Sequence, residues 1–496
     1  MLFLLEFKEV INFLKNILLI SALAFLGFLI SNKEYKKDFD RLLEKVKKEL
    51  ENHSIYYLVF ICIVSALFRF WNLGAREFWY DEAFTSVLIK QPWGNFFSYI
   101  FFKDLHPPLY YTCLKVWAYI FGFSDFGLRS FSALFGVLTI PLIYKFTRKF
   151  SKNEFLGLSS SLVFAVNPFL IRYSQEARAY SLLVFLTVGV VYSLYNRRWF
   201  LSSLLFSIAI LTHYIALFLA PSILIFIIAD SLKSGKFNTK SFLSLFLPGI
   251  VLAFWLPVLK THFSQAETLL GWVVAPQFKD LFNSIEISIF GKYIDGLKSF
   301  ALFGSIFFLT IYFFAKSSKS RRLKALFLLS FSALPFLEIF FVSKYLSISL
   351  YIDRTLIAFL VIFAIYLLLS AQVLGKHLGP LTLFCYIFVA LTFQANIETK
   401  NIGYKKLSEF AQESYKLIVM ADPKQYGTLK HYLNENTAHL VKVQSDFEGY
   451  WPLIFPEDII ERAEIKEAFY LAHEGPISGW DSELRVGEFY LYNWQN

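Results

Sequence analysis

The run IYYLVFICIVSALFRFW at residues 55–71, followed by Phe78-Trp79-Tyr80-Asp81-Glu82-Ala83, decides how this chain is read. The first stretch has the length and apolarity of a membrane-crossing helix. The second places two adjacent carboxylates where that helix leaves the bilayer. Ionisable groups at a membrane boundary are costly to desolvate, and they point to function. A second cluster, His106-Pro107-Pro108-Leu109-Tyr110-Tyr111, follows closely.

The rest of the composition agrees with a membrane protein. Of 496 residues, 56% are hydrophobic, 20% are aromatic and only 17% are charged, against about 25% charged in soluble domains. A mean hydropathy of +0.51 is hard to reconcile with a water-exposed fold. The net charge of +10 comes from lysines and arginines in short loops between apolar runs. That is the positive-inside pattern, not a nucleic-acid footprint. Cys62, Cys113 and Cys385 each stand alone in apolar surroundings, with no metal or disulfide spacing.

Counting outward from residues 55–71 gives three parts. Residues 1–54 hold an anchor helix at 10–30 and a basic amphipathic segment. Residues 55–395 form an all-α polytopic unit of about 11 core spans. Its first outer loop, 74–126, carries two surface helices, at 81–90 and 108–121, and further spans follow at 127–146, 155–171, 178–195, 200–213, 214–230, 241–259, 298–315, 325–343, 354–372 and 379–394. Treating 108–121 as a surface helix puts Lys145, Arg148, Lys149 and Lys152 on the cytoplasmic side, together with Arg197-Arg198, 233–240 and 316–324. Residues 396–496 are polar, with strand-like runs at 416–420, 440–443, 468–471 and 486–492 and a helical stretch at 425–433. They read as a small α/β domain on the outer side.

The same count gathers the polar clusters on that side. Asp81 and Glu82 either complement a helix N-terminus or supply a general base, since neighbouring carboxylates in a dry site raise one another's pKa. His106 is a phosphate contact or a helix cap. In Arg172-Tyr173-Ser174-Gln175-Glu176-Ala177-Arg178-Ala179-Tyr180, two arginines and an acid form either plain ion pairs or one wall of an anion site. Asp353-Arg354 opens a span and completes such a clamp or snorkels to the boundary. His213 and Lys260 stand at other outer boundaries as weaker candidates. Tyr80, Tyr110, Tyr111 and Tyr180 flank these groups. Glycine-rich phosphate loops and zinc spacings are absent from the sequence.

These motifs, in this order and separated by spans, resemble the GT-C glycosyltransferase superfamily, nearest to the aminoarabinose transferase and protein O-mannosyltransferase group. The resemblance covers roughly residues 55–395. It implies inverting transfer of a sugar from a polyprenyl-phosphate donor to a glycan, lipid (lipid A among them) or protein acceptor at the outer face of the cytoplasmic membrane. In that scheme Asp81 is the general base, Glu82 its companion and Glu176 a second acid near acceptor or sugar. Arg178 and Arg354, with Arg172, His106 and Lys260, would contact the donor phosphate. His106 stands where the aminoarabinose enzymes have lysine, which leaves the sugar open. Some relatives use a divalent cation; Asp81 and Glu176 are the residues that would hold one. The rival reading is a lipid or glycan transporter, which places its charges near the bilayer midplane and often shows inverted repeats.

Overall fold

The computed structural model describes residues 33–371, save 235–238, 272, 292–296 and 347, and short segments between 404 and 495. The expected anchor at 10–30 and span at 379–394 lie outside the described residues.

Two elements lead into the core. Helix α1 (Lys33–Asn52) is basic and amphipathic, with Leu42 and Val46 exposed. It meets α2 (Ser54–Phe70) at 84°, as expected for a helix lying on a membrane surface beside one that crosses it. Residues 74–126, expected as an outer loop with two helices, hold three: α3 (Tyr80–Lys90), α4 (Trp93–Phe102) and α5 (Pro108–Phe121). α5 starts at a proline, which loses nothing at a helix's first turn. It buries Tyr110, Tyr111, Leu114, Lys115 and Ala118 while exposing Val116, Tyr119, Ile120 and Phe121. That two-faced pattern is the one a surface helix needs.

The core then runs through α6 (Asp125–Ser151), α7 (Glu154–Ala165), α8 (Pro168–Ser174), α9 (Tyr180–Tyr195), α10 (Trp199–Thr212), α11 (Ala220–Ser234), α12 (Leu243–Leu270), α13 (Phe278–Phe290), α14 (Leu297–Lys316), α15 (Lys319–Tyr345) and α16 (Asp353–Ala371). Among the described residues, five helical stretches are long and apolar enough to cross a membrane, or seven if two bent pairs each count as one. The chain is a multi-pass membrane protein. α12 shows how little packing some of these helices have: only 11% of its most apolar window is buried, and Phe254 is 84% exposed. Such a surface is stable only against lipid.

Two expectations change in detail. The span expected at 155–171 is broken into α7 and α8, which meet at 58°. Pro168 starts α8, and Asn167 caps it by accepting from the Leu170 N–H at 2.8 Å. The span expected at 214–230 begins as a 3-10 helix over Tyr214–Leu219. The helix α13 had no counterpart in the sequence reading; a capping box between Gln277 and Asp280 starts it.

A break inside a membrane-embedded helix frees backbone carbonyls that need partners. Arg69, on α2, supplies them. Its guanidinium, 1% exposed, donates to the carbonyls of Phe164 (3.1 Å) and Ala165 (2.9 Å) and to Ser174 Oγ (3.2 Å). Gly136 on α6 makes room: a Cβ there would lie 2.4 Å from Ser174 Oγ and 2.7 Å from Arg69 Nε. Lys115 does the same for α3, donating to the carbonyls of Ile89 and Gln91 at 2.6 Å each.

After the core, six short strands form one mixed sheet: β1 (Ile418–Met420), β2 (Ala438–Lys442), β3 (Ile459–Glu461), β4 (Glu467–Ala472), β5 (Leu484–Val486) and β6 (Phe489–Gln495). The strand order is β3-β2-β1-β4-β6-β5, parallel from β3 to β4 and antiparallel on both sides of β6. β1, β2, β4 and β6 each overlap one of the four strand-like runs read from the sequence.

Gly136→Val should lower the thermal midpoint in detergent, with a cost of about 1–3 kcal/mol from overpacking. Gly94→Val, where a Cβ meets nothing within 4 Å, serves as the control in the same thermal melt.

Candidate active site

The site is built at helix ends. α3 begins at Tyr80 and so presents Asp81 and Glu82 in its first turn. The loop between α8 and α9 presents Glu176 and Arg178, and α16 begins at Asp353-Arg354. These three starts converge on Asp81. Its Oδ2 lies 3.4 Å from Arg354 Nη2 and 3.9 Å from Arg178 Nη2. The Arg354 guanidinium also packs over the Trp79 ring at 5.2 Å.

Glu82 has a different environment from its neighbour. It is fully buried and paired with the equally buried Arg129 of α6, through Nε to Oε1 at 2.7 Å and Nη2 to Oε2 at 2.6 Å. Oε1 also accepts the Ala177 N–H at 2.8 Å. Arg129 uses its remaining N–H groups on the carbonyls of Leu73, Arg76 and Glu77. One ion pair therefore ties the Asp81 loop, α6 and the Glu176 loop together. With both oxygens taken, Glu82 fixes the position of its neighbour Asp81.

Arg178 is held from several sides. It donates to Thr85 Oγ1 (3.2 Å), Tyr111 Oη (3.4 Å) and His106 Nε2 (3.2 Å). Burial pulls its pKa down, but Tyr111 and Asp81 outweigh this and raise it well above the ordinary value. Because Arg178 is the donor, His106 Nε2 must accept, and His106 Nδ1–H donates to Asp104 Oδ1 at 3.0 Å. Burial raises the Asp104 carboxyl, yet His106 and the Leu105 N–H outweigh it and hold the pKa below the usual value. His106, read from the sequence as a phosphate contact or a helix cap, bridges Asp104 to Arg178.

Glu176 is 4% exposed. Its Oε1 lies 3.9 Å from the half-exposed Arg172, and its Oε2 has no hydrogen-bond partner. Burial, then the charge of Glu82, pushes its pKa up to about 7. Tyr180 is buried beside Tyr173 and His213, at ring distances of 5.4 and 6.2 Å. His213 also lies 5.8 Å from the His106 ring and accepts from the Ile215 N–H. Tyr80 is half-buried in the first turn of α3.

Other expected residues sit apart. Tyr110 bonds Ser132 Oγ at 3.0 Å, anchoring α5 on α6. Asp353 accepts from Ser284 of α13 at 2.6 Å. Lys260 is exposed on α12, and among the described residues no hydrogen bond or ion pair joins it to the cluster. A cation held by Asp81 and Glu176 does not fit this donor set. Among the described residues no three His, Cys, Asp or Glu side chains converge, and Asp81 already faces two guanidiniums. The residues missed in the sequence were Arg69, Asp104, Lys115 and Arg129. A cation inside an apolar run is the available signal for three of them.

Comparisons with known proteins agree with this architecture. Residues 105–260 match the family model for dolichyl-phosphate-mannose-protein mannosyltransferase. ArnT from Cupriavidus metallidurans is similar over 89% of this chain and 98% of its own in the apo state, with TM-score 0.58 and 14% identity. Bound to undecaprenyl phosphate, it is similar over 88% and 98%, with TM-score 0.57 and 14% identity. The apo oligosaccharyltransferase of Archaeoglobus fulgidus is similar over 84% of this chain and 69% of its own, with TM-score 0.52 and 12% identity. At these identities the likeness is one of fold. An Aquifex aeolicus (strain VF5) protein described as uncharacterized is 29% identical over 187 residues, which span 34% of this chain and 36% of that relative. The chain shares the fold of these structures. Within that fold, 105–260 carries the protein-mannosyltransferase signature.

Two variants test the electrostatics. Glu82→Ala leaves Arg129 buried and unpaired, a loss of about 3–5 kcal/mol that should appear as misassembly or a much lower thermal midpoint. Glu176 keeps a proton in the folded protein that the unfolded chain has released above its ordinary value of 4.5. Stability should therefore fall as pH rises from about 4.5 to about 7 and then level off. Glu176→Gln should flatten that slope in melts taken across the window.

Proposed function

We propose that this protein is an inverting glycosyltransferase that moves a sugar from a polyprenyl-phosphate carrier to a cell-envelope acceptor, with Asp81 as general base. The carrying observation is the Asp81 carboxylate facing Arg178 and Arg354 at the edge of the helical core. A lipid phosphate leaving group develops negative charge as its bond to the sugar breaks, and two fixed guanidiniums are the partners that charge needs. When the phosphate takes up the two arginines, Asp81 is released to accept the acceptor's hydroxyl proton. The acceptor oxygen attacks the anomeric carbon from the face opposite the phosphate. The carbon–oxygen bond to phosphate breaks with its electron pair, the configuration inverts, and the proton ends on Asp81.

The apolar part of the donor also has a place. A cavity of about 210 Å³ lies between α7 and α8, α14 and α16, lined by residues including Phe164, Leu170, Leu302, Ile306, Ile357 and Leu368. Ile357 is one helical turn beyond Arg354. A phosphate at Arg354 would therefore let its isoprenoid chain run down α16 within the hydrocarbon layer.

By this reading the core lies in the cytoplasmic membrane with its site and residues 396–496 on the outer side. The role that fits residues 396–496 is recognition of the acceptor, supported by the contacts of His431 and Tyr432 with Ser86, Phe78 and Asp125. The acceptor is a glycan, a lipid such as lipid A, or a protein.

Purified protein in lipid, supplied with polyprenyl-phosphate sugars and an envelope acceptor extract, should transfer sugar. Asp81→Asn should lose at least 100-fold in turnover while still binding polyprenyl phosphate. Arg354→Gln should weaken that binding. Full turnover by Asp81→Asn would remove the assigned base. Lipid binding without transfer across a broad donor panel would favour a transporter.

A further inference from the structure

A second polar cavity lies at the other end of the core. It has a volume of about 770 Å³ and is lined by Lys145, Lys149, Lys152, Tyr192, Tyr195 and the neighbouring acids Glu51 and Glu154. α6 begins at Asp125, near the active-site end, and reaches this cavity at Lys145, about 30 Å away along the helix. The two sites are therefore separate.

The charges here are unequally used. Glu154 is engaged by Arg148 and Tyr144, and Glu51 by Lys47 at 3.8 Å. Among the described residues, Lys145, Lys149 and Lys152 have no acidic partner within ion-pair distance, and all three are exposed. Three lysines thus face one cavity with its acids already neutralised. Nor are they needed to finish α6, since the Phe150 carbonyl near its end is taken by Lys324. Lys152 stands in the left-handed region, with φ 58° and ψ 36°. Glycine or asparagine adopts that conformation at less cost, yet a charged side chain occupies it.

The surroundings define the ligand. The cavity lies where α1 meets α2, and α1 exposes Leu42 and Val46 as a helix lying on a bilayer would. Tyr192 and Tyr195, on α9, bring phenol groups to the same level. The geometry points to a phosphate-binding site for the headgroup of an anionic phospholipid, at the basic end of the bundle. The lysines neutralise the phosphate, the tyrosine hydroxyls donate to headgroup oxygens, and the acyl chains pass beside α2 into the bilayer. Free inorganic phosphate shares the charge chemistry but has no use for the apolar flank.

The test uses the full chain in uncharged detergent, titrated with dihexanoyl phosphatidylglycerol, dihexanoyl phosphatidylcholine or inorganic phosphate and read by native mass spectrometry and thermal shift. The expected result is binding of phosphatidylglycerol that weakens with salt, falls at least tenfold in the triple variant K145Q/K149Q/K152Q and survives in K145R/K149R/K152R. Single Lys149→Glu should weaken binding too, and keeps the test open if the triple variant misfolds. Inorganic phosphate that competes at equal concentration would retain the anion site and make a free anion its occupant. Phosphatidylcholine binding as tightly as phosphatidylglycerol, or undiminished binding by folded K145Q/K149Q/K152Q, would overturn the proposal.

Discussion

The ion pair between Glu82 and Arg129 is the constraint on which the rest depends. Both residues are buried to 1% exposure or less, where an isolated charge would cost several kcal/mol. The pair is tolerable because nearly every donor and acceptor is used. Arg129 closes the irregular backbone of residues 73–77, and Glu82 accepts an amide from the Glu176 loop. Asp81 is next in sequence to Glu82 and Arg178 is next to Ala177, so fixing the second member of each couple fixes the first. The facing of Asp81 and Arg178 is inherited from a contact that neither residue makes.

The same solution recurs at three places where helices end or break. Arg69 occupies the carbonyls at the α7–α8 break, Lys115 those at the end of α3, and Lys324 one at the end of α6. Each cation comes from a different element than the one it closes, so each also fastens two elements together. Helix ends inside a lipid-embedded protein have few water molecules to satisfy them. Cations on neighbouring helices complement the partial negative charge there. The helix starts at Tyr80 and Asp353 instead carry charged side chains of their own, Asp81 and Glu82 on α3 and Asp353 and Arg354 on α16.

Much of this was legible in the sequence. Apolar length marked the chain as a multi-pass helical protein, and the proline pair at 107–108 gave α5 its observed start. The clusters around Asp81, Glu176 and Arg354 were recognisable as boundary charges, and the structure brings them together. The division of labour within the clusters was not legible. Asp81 and Glu82 are adjacent and chemically alike; only the approach of Arg129, 47 residues away, separates their roles. His106 was read as a phosphate contact or a cap; its partner Asp104 is two residues away, but Arg178 is 72 residues away, a pairing that local spacing does not encode. The Trp93–Phe102 helix was hidden by having apolar residues on every face.

Asp125 links the first outer loop to the last part of the chain. It accepts from Lys405 (2.7 Å), His431 (3.0 Å) and Tyr432 (3.1 Å). His431 also bonds Ser86 on the Asp81 helix, and Tyr432 accepts the Phe78 N–H. Asp125 and Tyr432 are 307 residues apart in sequence. At ordinary ribosomal speeds, about 5–20 residues per second, roughly 15–60 s pass between their syntheses. The membrane core is inserted well before then. The contacts that residues 405–432 make with Phe78, Ser86 and Asp125 therefore form late, bracing a loop that was made long before its supports.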